Sequence, residues 1–179
     1  MSDEDGSSSK PAAENLQTIY FTYALAMQSA QHALREMIRW AFLLTRTDSG
    51  LEEADVVHLA RNRDPETVQR VLDAGSRIDS ATIELGALFP KVVKHHDRLA
   101  NRYFLEAADG VRSPEGRESM LKEILESSQL FSDASTTARG FNQRLRTDLD
   151  IDEGELNTEL SRVIGPDWTG DETGTSNED

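Results

Sequence analysis

Cysteine is missing from all 179 residues. That excludes disulfides, thiolate nucleophiles and cysteine metal sites, and it fits a reducing compartment. Long apolar runs are missing as well. The most apolar stretch, Ile19 to Leu44, is broken by Gln28, Gln31, His32, Arg35, Glu36 and Arg39, so it does not read as a membrane span. The opening MSDEDGSSSK is acidic and polar and lacks the apolar core of a secretion signal. These absences together give the expectation of a cytoplasmic chain. Strand-period alternation is absent, as are Asn-Gly hairpin signals and repeats at a solenoid period. No glycine-rich phosphate loop, Gly-x-Ser-x-Gly or His-Glu-x-x-His occurs, so the expectation is a non-enzyme without a cofactor.

Lysine is scarce, with four lysines among the 19 basic residues, against 33 acids and a formal net charge of −14. The charge is uneven. The first 14 residues carry four acids against one lysine, and residues 150–179 carry ten acids against one arginine, which leaves −2 for the body between them. The arginine bias with acidic ends fits a halophilic or GC-rich source. A near-neutral body weakens any argument from total charge against nucleic acid.

What is present is helical periodicity. Residues 1–14 read as a disordered acidic tail. Then Leu16, Tyr20, Tyr23, Met27, Ala30, Leu34, Met37, Ala41 and Leu44 recur at steps of three and four, the seam of a helix of about 30 residues. Ile19, Leu25, Ile38, Trp40 and Leu43 widen its apolar face, which predicts packing against more than one neighbour. Two short helices follow, Leu51 to about Asn62 and a second that opens on Asp64-Pro65-Glu66 and stops at Gly75.

A second seam, Ile78, Thr82, Leu85, Phe89, Val92, His96, Leu99 and Tyr103, predicts one helix over 76–108 with a kink at Pro90. Ser113-Pro114-Glu115 opens the next helix. Its seam runs through Leu121, Ile124 or Leu125, Phe131, Ala138, Phe141, Leu145 and Leu149. A short helix over 152–164 ends at Gly165-Pro166, and 166–179 read as a disordered acidic tail. The expected fold is all-α. It is an elongated antiparallel bundle of three long helices over 15–149, with a short two-helix excursion and a short C-terminal helix over 150–165. Surplus apolar face on long seams points to a homodimer.

Three stretches carry chemistry. Lys91, Lys94, Arg98 and Arg102 step by three, four and four into one basic stripe, suited to phosphate, nucleic acid or an acidic peptide. A solvated salt-bridged face is the plainer alternative. His95 and His96 are adjacent on that helix and point about 100° apart, so they do not chelate one ion together. His96 reads as a core residue. His32 is isolated, and Asp55-x-x-His58 has no second half, so no metal site is expected. Trp168 in the acidic tail suggests an aromatic anchor that docks on the body or on a partner.

The third stretch is 55–75. Leu59-Ala60, Thr67-Val68 and Arg70-Val71-Leu72 resemble the helix-turn-helix of LacI-type repressors over about twenty residues. The resemblance implies Thr67, Gln69 and Arg70 at base edges and Arg61 and Arg63 on phosphates. The turn Arg61-Asn62-Arg63-Asp64 departs from that pattern: it lacks the glycine and the apolar residue and is one residue longer. The sequence therefore gives two readings. One is a self-associating scaffold or adaptor that contacts a protein partner through the basic helix face. The other is a DNA-binding transcriptional regulator using 55–75.

Overall fold

The computed structural model describes residues 9–168, and every regular element among them is helical. Seven α-helices follow in chain order: α1 Ser9–Leu44, α2 Glu53–Asn62, α3 Pro65–Ile78, α4 Ile83–Asn101, α5 Tyr103–Glu106, α6 Pro114–Leu149 and α7 Glu153–Ile164. Single 3-10 turns occupy Ser80–Thr82, Gly110–Arg112 and Pro166–Trp168. No described helix is long and apolar enough to cross a membrane. Of the expected disordered tails, 1–14 and 166–179, the parts 1–8 and 169–179 lie outside the described residues.

The chain ends differ from expectation. α1 begins at Ser9, so the helix reaches back into 9–14. Ala12, Ala13 and Glu14 are good helix formers, and Pro11 falls in the first turn, where a missing N–H costs no intrahelical bond. At the other end, Trp168 closes a 3-10 turn by donating its backbone N–H to Gly165 O at 3.1 Å, and the residue is half-buried.

Packing divides the described residues into two compact units. One takes the chain up to Met37 together with Glu84–Arg139, and the other takes Ile38–Ile83 and the chain from Gly140. The grouping cuts α1 and α6 and places α7 with the excursion helices.

In the first unit, α1 buries Ile19, Ala26, Ala30, Ala33, Leu34 and Met37. This is not the seam expected for its first turns, because Tyr20 is exposed and Tyr23 and Met27 are half-buried. Apolar residues surround the helix here, and two stripes compete for the core. The stripe of alanines wins, since small side chains let the neighbouring helices approach closely. α4 contributes Leu85, Phe89, Val92 and Leu99, with Pro90 inside the helix. α6 contributes Met120, Ile124, Phe131, Ala134 and Ala138, while Leu125 is exposed.

The predicted helix over 76–108 is three pieces. α3 runs to Ile78, past Gly75, and Asp79 then takes an extended conformation (φ −145°) before the Ser80–Thr82 turn. The helix pattern resumes at Ile83 and breaks again at Arg102 (φ −132°, ψ −19°). The second break sends Tyr103 into the core, where its hydroxyl donates to Met120 O at 2.9 Å. A helix end leaves carbonyls without intrahelical donors. Leu99 O, freed this way, accepts the Tyr23 hydroxyl at 2.9 Å.

In the second unit, Ile38, Trp40, Ala41, Phe42, Leu43 and Leu44 are all buried, so this end of α1 is covered on every side. Gly75 lies inside α3 because of Trp40: a Cβ on it would fall 2.2 Å from the indole Cζ2. Its role is contact and not termination. Val56, Leu59, Val68, Val71 and Leu72 close the core from α2 and α3, and Leu156 and Leu160 from α7. Asp64 caps α3 by accepting from Thr67 N at 3.0 Å, ahead of Pro65. Asp152 caps α7 through Glu155 N at 2.8 Å.

Candidate interaction surfaces

The basic stripe on α4 is divided by its pairing. Lys91, Lys94 and Arg102 are exposed and have no ion pair among the described residues. Arg98 is committed. Its guanidinium binds Glu106 at 2.8 Å and also pairs with Glu123 of α6, and it lies 5.7 Å from the Tyr103 ring centroid. The hydrogen bonds that Arg98 donates to those two carboxylates hold its pKa above its ordinary value. Burial raises the Tyr103 phenol to about 12. Arg98 is thus a strut within the unit, and three exposed cations remain as the free part of the stripe.

His95 joins α4 to α6, with its Nδ1 3.1 Å from Ser127 Oγ. Burial, reinforced by Arg98 and Lys94, holds its pKa below the ordinary histidine value. His96 is half-buried, with Nδ1 3.2 Å from the Asp97 carboxylate. His58 pairs with Asp64 at 2.7 Å, and His32 is half-buried. No group of three metal-ligating side chains forms among the described residues.

The hairpin at 55–75 holds its marked residues in structural contacts. Thr67 is buried, 6% exposed, and its hydroxyl donates to Asp64 at 2.9 Å. Arg70 pairs with Asp55 at 2.6 Å and approaches Glu66 at 3.8 Å, and Gln69 donates to Asp73 at 2.8 Å. The exposed charges of α3, Glu66, Arg70, Asp73 and Arg77, balance in number. Arg61 is exposed. Arg63 supplies the left-handed residue that ends α2 (φ 48°, ψ 32°), in the turn that lacks a glycine.

A further surface lies in the first unit. Phe21 is 64% exposed, Tyr20 57%, Leu25 45% and Leu105 80%. Tyr20, Phe21 and Leu25 lie within two turns of α1, and the ring of Phe104, the neighbour of Leu105 in α5, has its centroid 5.3 Å from Tyr20 and 4.8 Å from Tyr23. The signal for it was in the sequence. From Leu16 to Gln31 the helix carries no charged residue, although charged residues are 29% of the chain. Reading Tyr20 as core concealed it.

The second unit has a shallow cleft of about 400 Å³ lined by Phe42, Arg46, Leu149, Ile151, Leu156 and two glutamates, Glu155 and Glu159. Arg46 spans it, stacked 4.9 Å from the Phe42 centroid and paired with Glu53 at 3.1 Å and Glu159 at 3.3 Å. Arg162 joins the same two acids. Arg46 and Glu159 of this cleft are thus already paired. Compared with protein-family models, with curated proteins and with solved structures, the chain gave no match.

Proposed function

We propose that this protein is a non-enzymatic helical interaction and assembly protein. It associates through the apolar surface of its first unit and carries Lys91, Lys94 and Arg102 as a basic face for an acidic protein partner. In this reading α1, α4 and α6 run as an antiparallel bundle within that unit. The observation that carries it is the exposed group Tyr20, Phe21 and Leu25 on one uncharged stretch of α1, with Phe104 against Tyr20. Large apolar side chains grouped at a surface mark contact sites, and aromatic anchors dominate the energetics of such sites.

The test has two parts. Sedimentation of the whole chain over a concentration series is expected to show self-association. Fluorescence anisotropy with a labelled polyglutamate peptide is expected to show binding that weakens with salt and disappears when Lys91, Lys94 and Arg102 are changed to alanine. A monomer at all concentrations, with no peptide binding at low salt, would overturn the proposal. So would tight binding of duplex DNA abolished by R61A and R63A, which would favour the regulator.

A further inference from the structure

The uncharged stretch of α1 has a second periodicity, distinct from the one that faces the core. Gln17, Phe21, Ala24, Gln28 and Gln31 are all exposed, and they recur at steps of four, three, four and three. Tyr20 and Leu25 flank that line and are exposed as well. Steps of four and three are the seam of one helix lying along another. This seam runs over 15 residues, about 21 Å of helix, and no described element covers it.

We infer that this strip is an isologous interface: α1 of one copy lies antiparallel on α1 of a second copy, with the two-fold axis beside Ala24. The inference rests on the self-associating reading above and assigns its surface. Three observations select a second copy over another occupant.

The first is charge. A two-fold contact brings the same residues of both copies together, so any charge on the strip would meet its own kind. The chain carries −14, yet the strip carries none. A face built for an acidic or basic partner would show the opposite charge.

The second is shape. Ala24 stands at the midpoint of the strip, and a small side chain there lets two helix axes approach closely. Phe21 would then pack near Gln28 of the second copy, twice over, with Tyr20 and Leu25 closing the sides. The glutamines pair with one another by amide hydrogen bonds, neutral and self-complementary.

The third is area. Tyr20, Phe21 and Leu25 leave on the order of 350 Å² of surface in water. That approaches half of the roughly 800 Å² per partner in a stable interface. Gln17, Ala24, Gln28 and Gln31 extend it toward that size.

The chain has no cysteine, so a single introduced one reports its own neighbours. Oxidation of A24C is expected to give a covalent dimer. Q17C and Q31C should each remain monomeric in denaturing gels when oxidised alone and cross-link when mixed, because antiparallel pairing sets position 17 against position 31. F21E is expected to weaken dimerisation by about 100-fold, with unchanged helicity and melting, because the side chain is mostly in solvent. Dimerisation should strengthen with salt as screening removes repulsion between two negative chains, opposite to the salt response expected of the basic face.

A wild-type dimer that resists F21E and gives no A24C cross-link would sink this interface while leaving self-association intact. Cross-linking of all three variants alone would mean a parallel pairing and overturn the geometry. A wild-type chain that stays monomeric at every concentration and salt would remove both the interface and the self-association on which it rests.

Discussion

The surroundings of His95 favour its neutral form. Lys91, Lys94 and Arg98 stand around it on α4 and Glu123 faces it from α6, where its ring also meets Ser127. Burial depresses its pKa, and the cations outweigh the single acid. A group whose folded pKa lies below its unfolded value contributes stability that is complete above the unfolded pKa and is lost as pH falls toward the folded one. Unfolding midpoints in denaturant are therefore expected to fall as pH drops below about 6.5, the ordinary histidine value. H95Q should flatten that part of the profile, and an unchanged profile would show that His95 is not its source. Gly75 has a sharper prediction. Trp40 is fully buried and cannot withdraw from a methyl placed 2.2 Å from its ring. G75A is expected to cost at least about 1–3 kcal/mol, the range for overpacked cores, measured by chemical denaturation. Helix propensity alone would predict a gain of about 1 kcal/mol, so the sign of the change separates the two effects.

At the level of elements, caps were the most legible feature. Asp64-Pro65 and Asp152 start α3 and α7 where the sequence pattern placed them, because a capping carboxylate and a helical proline act within a few residues. Long-range competition was not legible. Gly75 has the appearance of a helix stop, and only the indole of Trp40, 35 positions earlier in the chain, explains why it lies inside α3. In the same way, the four-three register passes unbroken through Arg102 while the backbone does not, since the gain lies in burying Tyr103 and in the Tyr23 hydroxyl bond to Leu99 O. Y23F removes that bond and should cost about 1 kcal/mol, with the opening read by hydrogen exchange at the end of α4. In the hairpin, a left-handed non-glycine residue is disfavoured by about 1–2 kcal/mol, and Arg63 occupies that region. R63G is expected to raise stability by up to about 1 kcal/mol, less than the full strain because glycine also loses more entropy on folding. A loss of stability instead would show that the Arg63 side chain has a contact worth more than the strain.

For the molecule as a whole, the boundary that matters is not where composition changes. The acid-rich stretch begins at about residue 150, and charge alone would cut the chain there. Packing places α7 inside the second unit instead: Leu156 and Leu160 are buried, Arg39 bonds Asn157 at 3.4 Å and pairs with Glu153, and Arg46 reaches Glu159. The acids of this stretch serve two ends. Asp152 and Glu153 lie at the start of α7, where negative charge suits the helix dipole, and Glu159 faces the arginines Arg46 and Arg162. A chain ending at Leu149 loses two buried leucines, each worth about 2–5 kcal/mol by the cost of truncation to alanine. It also leaves Arg39, only 19% exposed, without Glu153. Such a chain is expected to lose hydrogen-exchange protection over 51–78, while 84–139, in the first unit, remains protected. A chain ending at Trp168 sheds four acids of the tail, Asp171, Glu172, Glu178 and Asp179, keeps α7, and should retain protection in both units. Equal protection over 51–78 in the two truncations would mean that α7 adds nothing to the second core and that charge, after all, marks the boundary. The same pair of chains separates the electrostatic part of the tail from its structural part, because only the shorter one removes buried apolar surface.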